Sequence, residues 1–269
     1  MNRPTRYNRA QFLKQLGYGL FAGWGLQQPK AATPNAASKP TSHPSWTLSR
    51  KVPILLVTGI DYPGHHWRET TPVLVQAIEE DPRLDVRVVM DPFFLECERI
   101  EAYRAILLHF MNWKQPGPGP KAQHRLQNLV SSGGGLVLVH FACGAWQEWP
   151  GFVHLAGRVW DPNLRGHDPR GRFRVHIADP HHPITKGMND FETDDELYTC
   201  LSGQEPIHVL ATARSRVDGK TYPIAFVHRY GAGRVFHCVL GHDVKALRFA
   251  PVQKLFRRGT AWAAGVLKE

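Results

Sequence analysis

The chain has 269 residues, 42% of them hydrophobic, enough for a full core in one domain or two small ones. Its formal net charge of +10 is concentrated at one end, because residues 1–50 hold seven basic side chains (Arg3, Arg6, Arg9, Lys14, Lys30, Lys39 and Arg50) and no acid. The remainder is only about +3, with no basic helix and no basic–aromatic alternation, which excludes the electrostatic footprint of a nucleic-acid binder.

Arg3, Arg6 and Arg9 precede the apolar run QLGYGLFAGWGL, and PKAATPNAAS follows it. A positive end, an apolar middle and a small-residue exit predict an export signal over residues 1–32, with a periplasmic or extracellular destination. RAQFLK is close to a twin-arginine signal, but Ala10 stands where the second arginine belongs. The run is too short and glycine-rich to span a bilayer, and no later stretch is long and apolar enough, so no integral span is expected once the signal is removed. Residues 33–50, rich in Pro, Ala, Ser and Thr, predict a linker, and 51–269 the folded domain.

That domain opens with VPILLVTG, a continuous apolar run of strand length ended by glycine. RETTPVLVQAIEED predicts a helix capped by Thr70 or Thr71, with Pro72 in its first turn. LDVRVVM and AILLHF predict the next strands, KAQHRLQNLVSSGG a helix stopped by glycine, and LVLVH a strand ending at His140. Apolar strands alternating with helices predict a mainly parallel α/β sheet with helices on both faces. The second half changes character: RFRVHIAD, IHVLATAR, PIAFVHRY and RVFHCVLG predict an antiparallel extension, with a hairpin around Gly231-Ala232-Gly233. A final helix is expected over about 251–265. Cys97, Cys143, Cys200 and Cys238 form no CxxC pair and predict free, buried thiols.

Parallel sheets place ligands at the carboxyl ends of their strands. Those ends are polar: GIDYPGHHW after the first strand, HFMNW after the third, HFACGAW after the fourth and GHD after the last. Histidine stands at or just past four of them. A neutral imidazole there can exchange a proton or ligate a metal.

The set GIDYPGHHW with Thr70 or Thr71 beyond it, GGGLVLVH, DPHHPITKGM, DDELY and GRVFHCVLGHD resembles, in order, the trehalose-utilisation (ThuA-like) family. The resemblance covers about residues 52–265. It implies a flavodoxin-like, class I glutamine amidotransferase-like fold and a role in carbohydrate metabolism, especially with sugars oxidised to keto forms. It implies His140, His242 and Glu196 as catalytic residues, and His66, Trp67, Asp61 and Tyr198 at the substrate. In the glutaminase relatives a cysteine occupies the sharp turn after the central strand. Here that strand ends at His140, and Cys143 lies about one helical turn beyond, so a packed thiol is expected rather than a nucleophile. Asp243 could cap the next segment or fix the tautomer of His242. His181 and His182, before Pro183, are expected to be structural.

His66, His140, His242 and Glu196 would offer three nitrogens and one oxygen, a set suited to zinc or manganese. No two come from a compact motif, so spacing alone does not support a metal, and acid–base chemistry without one is equally open. The expected partner is a small-molecule carbohydrate, and a homo-oligomer is compatible with the sequence. The expected chemistry is elimination or hydrolysis of a keto sugar or glycoside. The alternative is a non-catalytic sugar-binding or scaffold module that uses Trp67, Trp113 and Trp146.

Overall fold

A computed structural model describes residues 51–268; the export signal expected over 1–32 and the linker over 33–50 lie outside the described residues. The elements run β1 (Val52–Val57), α1 (Trp67–Glu79), β2 (Leu84–Val89), β3 (Ala105–Leu108), α2 (Pro120–Ser131), β4 (Gly135–Val139), α3 (Phe152–Ala156), β5 (Gly171–Ile177), β6 (Phe191–Asp195), β7 (His208–Arg214), β8 (Thr221–Tyr230), β9 (Gly233–Cys238), α4 (Val244–Leu247) and α5 (Ala250–Ala263). All nine strands share one sheet, in the order β2-β1-β3-β4-β9-β8-β7-β5-β6. From β2 to β9 the pairing is parallel, and from β9 to β6 it is antiparallel.

Burial explains the division. β3 and β4 are buried at every residue, as strands covered on each side must be. β5 alternates buried and exposed, the mark of an antiparallel strand with one wet face. Within β1, Ile54 and Leu56 join a core cluster with Leu74 and Ile78 of α1 and Val252 and Leu255 of α5. Leu55 and Val57 join a second cluster with Ala122, Leu126 and Val130 of α2. Alternate residues of a strand point to opposite faces, so these clusters take opposite parities of β1. A side chain at Gly135 would place its first carbon 2.5 Å from the Ala263 carbonyl oxygen, so only glycine lets the end of α5 lie this close to β4.

Three expectations change. Helix α1 begins at Trp67, before Thr70, so Pro72 sits inside it rather than in its first turn. Strand β6 was not anticipated, because FETDD has little apolar content. Only Cys143 and Cys238 are fully buried; Cys97 and Cys200 are half-buried, and all four are free thiols. The β8–β9 hairpin forms as expected, with Gly231 at φ 57° in its tight turn. No helix among the described residues is long and apolar enough to cross a membrane.

The antiparallel half is strongly curled. β6 lies four places from β9 in the sheet order. Flat strands would separate them by roughly 19 Å. Yet the Asp195 carboxylate at the end of β6 accepts a 2.7 Å hydrogen bond from the Gly241 amide, three residues past β9. The curl carries the end of β6 to the carboxyl edge of the parallel strands.

Candidate functional site

The site is built from four strand ends. The segment after β1 brings His65, the turn after β4 brings His140, the end of β6 brings Glu196, and the turn after β9 brings His242. His65, His140 and His242 stand around one point, with ring centroids 5.1, 5.1 and 5.4 Å apart and planes 74–88° from one another. Glu196 Oε2 lies 3.1 Å from His242 Nδ1 and 3.7 Å from His140 Nε2.

His140 holds the most constrained place. It follows the last residue of β4 with φ 45°, a left-handed conformation that costs a non-glycine residue about 1–2 kcal/mol. Such strain persists where the surroundings enforce it and gathers at functional sites. The ring is fully buried, and Nδ1 lies 2.6 Å from the Val239 carbonyl oxygen. A carbonyl only accepts, so Nδ1 carries a hydrogen, and Nε2 on the other side of the ring faces Glu196. Cys143, three residues on, is buried in the hydrophobic core, and burial pushes its thiol up to about 12. The sharp turn therefore offers an imidazole, and the thiol is packed.

Glu196 and His242 are an unequal pair held together by charge. Burial pushes the Glu196 carboxyl up, but His140 and His242 outweigh it and hold the group well below the usual carboxylate range. Burial pulls His242 down, but the Glu196 carboxylate outweighs it and raises the imidazole above its ordinary value. Beneath them sits Asp195, fully buried, which accepts from the amides of Gly241 (2.7 Å), His242 (3.1 Å) and Glu196 (2.9 Å). Burial pushes the Asp195 carboxyl up, against the pull of His140 and those amides. Sequence reasoning did not separate Asp195 from its acidic neighbours. The available signal was period: on a strand, Asp195 and Glu196 must point to opposite sides.

Tyr198 lies beside the cluster. It is buried, its ring is 4.3 Å from that of His140, and its hydroxyl is 3.5 Å from His65 Nε2. The expected His66 is not in the cluster. A turn closes between Tyr62 and His65, and α1 starts at Trp67, so His66 is the residue just before the helix. Its carbonyl accepts from the amides of Glu69 and Thr70 while its side chain is exposed. His65, buried and stacked 4.3 Å from Phe141, stands in the cluster where His66 was expected. Burial pulls His65 down to about 2, helped by the two neighbouring imidazoles. Asp61 and Trp67 brace this loop instead of facing the histidines. Asp61 accepts from Trp67 Nε1 at 2.8 Å and pairs with Arg68. Asp243 caps α4 through the Ala246 amide and pairs with Arg170, so it does not set the tautomer of His242. His181 and His182 lie in the turn closed by Asp179, as the structural reading expected.

Two further histidines were missed as parts of this region. His167 is half-exposed at the rim, its ring stacked 5.7 Å from Tyr198 and its Nδ1 3.9 Å from Glu196 Oε1. His109 is fully buried behind the cluster, with its nitrogens 3.1 Å from the Thr71 hydroxyl and 3.4 Å from that of Thr70. The threonines expected to cap α1 hold this ring instead. Trp113 and Trp160 stand beyond Tyr198, 5.2 Å apart. Trp146, expected as a sugar-stacking face, is instead fully buried and donates to the Pro118 carbonyl.

Burial pulls His109 down to about 3, and it pulls His237 down to about 3 against the Ala156 carbonyl. Unfolded, each ring binds a proton near pH 6.5. The native state refuses that proton, so their contribution is fully present above about pH 6.5 and is lost as pH falls towards 3. Each histidine is expected to cost about 1.4 kcal/mol per pH unit within that window. Urea midpoints at pH 7.5 and 5.5 check this: His237→Leu should flatten the slope by about one such increment, and an unchanged slope would refute it.

A search of curated proteins returned no match to the chain. Among solved structures, a ThuA-like protein from Parabacteroides merdae superposes with a TM-score of 0.72 at 26% identity, covering 82% of this chain and 92% of that one. A ThuA-like protein from Bacteroides uniformis follows at 0.64 and 16%, covering 85% and 95%. A β-galactosidase from Bacillus circulans shares the fold over 81% of this chain and 31% of its own, at 0.55 and 13%. The family model described as trehalose utilisation matches residues 53–263, nearly every described residue, and the chain belongs to that family, ThuA.

Proposed function

We propose that this domain is an enzyme of carbohydrate utilisation that acts on a keto sugar or glycoside. The family supports the carbohydrate role. The observation that carries the chemistry is the convergence of His140, His242 and Glu196, from three distant strand ends, with His65 beside them. A keto group acidifies the neighbouring C–H. A base takes that proton, the C–H pair becomes an enolate, and the enolate expels the glycosidic oxygen, which leaves with a proton. No electrons are gained or lost overall. The cluster serves such a step in either of two ways. Its imidazoles exchange the protons, with the Glu196 carboxylate favouring the charged form of His242, or they would hold a cation that would supply charge stabilisation at the enolate oxygen. Packed Cys143 argues against glutamine hydrolysis. The non-catalytic alternative keeps only one of its three tryptophans, Trp113, since Trp146 and Trp67 are buried rather than displayed.

The amidotransferase-like layering with helices on both faces belongs to this reading and is supported by the two parities of β1. Export through residues 1–32 belongs to it as well. A screen of oxidised and unoxidised disaccharides is the direct test. Turnover of an oxidised glycoside that His242→Ala abolishes is the expected result. Sugar binding without turnover would establish the non-catalytic module, and ammonia release from glutamine would overturn the sugar reading.

A further inference from the structure

The inner face of the cluster is short of hydrogen-bond partners in a telling way. His65 is 7% exposed and His140 fully buried, and His65 Nδ1 and His140 Nε2 have no hydrogen-bond partner. His242 Nδ1 is also buried and reaches Glu196 only as an ion-pair contact, without hydrogen-bond geometry. A buried polar atom left unpaired costs about 1–3 kcal/mol, and such atoms are rare in native proteins. Three on adjacent rings point to a missing common partner. The outer nitrogens are anchored, His140 Nδ1 on the Val239 carbonyl and His65 Nε2 beside the Tyr198 hydroxyl. Outer anchoring that aims the inner lone pair is how metal-binding imidazoles are oriented.

We infer that His65, His140 and His242 form a binding site for a single first-row divalent cation, with the Glu196 carboxylate beside two of them, His140 and His242. Each histidine offers one ring nitrogen, and the three lie within 4.8 Å of one another. Ligation at 2.0–2.1 Å in a tetrahedral site brings nitrogens to about 3.4 Å apart, so the rings draw in by roughly an ångström. Three imidazole nitrogens with a carboxylate close by suit zinc, and also manganese or cobalt. The donors come from four separate strand ends, so the backbone that holds them is the rigid sheet. The inference rests on the proposed site for its place and assigns the second of its two modes: the imidazoles hold a cation.

The test is metal binding by the intact protein, read without substrate. Chelator-dialysed protein is titrated with Zn²⁺, Mn²⁺ and Co²⁺ by calorimetry, with the visible absorption of Co²⁺ reporting its coordination. One equivalent of ion, an upward shift of the thermal midpoint and a tetrahedral Co²⁺ spectrum are expected. His65→Ala and His242→Ala should each abolish stoichiometric binding. His66→Ala, next in sequence but outside the cluster, should bind like the parent within about twofold. Circular dichroism establishes that each variant is folded, and His65→Gln replaces any that is not. Binding below one equivalent in the parent, or binding kept in folded His65→Ala or His65→Gln, would overturn the site. Equal losses in the residue-65 and residue-66 variants would do the same. Chelation that leaves sugar turnover intact, with no ion bound, sinks this inference alone. Stoichiometric binding without turnover of any oxidised sugar sinks only the proposed function.

Discussion

His140→Ala and His140→Gly should be equally inactive on an oxidised glycoside, at least about 100-fold below the parent, yet differ in stability. The loss of turnover follows from removing the ring whose Nε2 faces Glu196 at 3.7 Å. The difference in stability follows from the backbone. At φ 45° an alanine keeps the left-handed cost that histidine bears, whereas glycine does not. Both variants give up the Val239 hydrogen bond and leave the same space. The glycine variant should therefore be the more stable of the two by about 1 kcal/mol, the larger backbone relief being partly offset by the greater freedom of unfolded glycine. Denaturant midpoints and turnover on the same preparations decide the matter. Turnover retained by the glycine variant would remove His140 from the chemistry, and equal midpoints would show that the turn is not strained.

Neighbouring carboxylates should separate cleanly into scaffold and chemistry. Asp195→Ala orphans three buried amides, those of Gly241, His242 and Glu196, and is expected to cost about 3–5 kcal/mol along with nearly all turnover. Asp195→Asn keeps one acceptor oxygen and should fall roughly midway. Glu196→Gln should cost clearly less stability than Asp195→Ala, since it is nearly isosteric and orphans no amide, while turnover falls by about 100-fold or more. Urea denaturation with parallel assays separates the two positions. A Glu196→Gln variant as unstable as Asp195→Ala would mean that both carboxylates are structural.

Much of this was legible because buried parallel strands announce themselves as apolar runs with polar ends. β1, β3, β4 and the histidine at the end of β4 could be read directly, and the family motifs tied GHD and DELY to the same edge. What failed was local phase. His65 and His66 are chemically identical, and the choice between them depends on α1 starting at Trp67 rather than after Thr70. Asp195 is hidden because β6 is nearly all polar, which removes the apolar alternation that would distinguish it from Glu196. His167 lies in a loop without periodicity, and its approach to Tyr198 depends on the curl of the antiparallel strands. Trp146 was misjudged because an aromatic beside a polar strand end can as readily fill the core as face a ligand.

The curl of the sheet has a bearing on how the molecule comes into being. The groups that meet in the pocket are drawn from residues 65 to 242, so no fragment shorter than that span contains it. The edge strand β6 is fastened to the turn after β9, in the middle of the sheet, through the Asp195 carboxylate, and that clasp cannot shut until β9 and its turn are in place. Competence is therefore acquired late, as a property of the completed chain. A nascent or half-folded copy presents scattered imidazoles with nothing gathered between them.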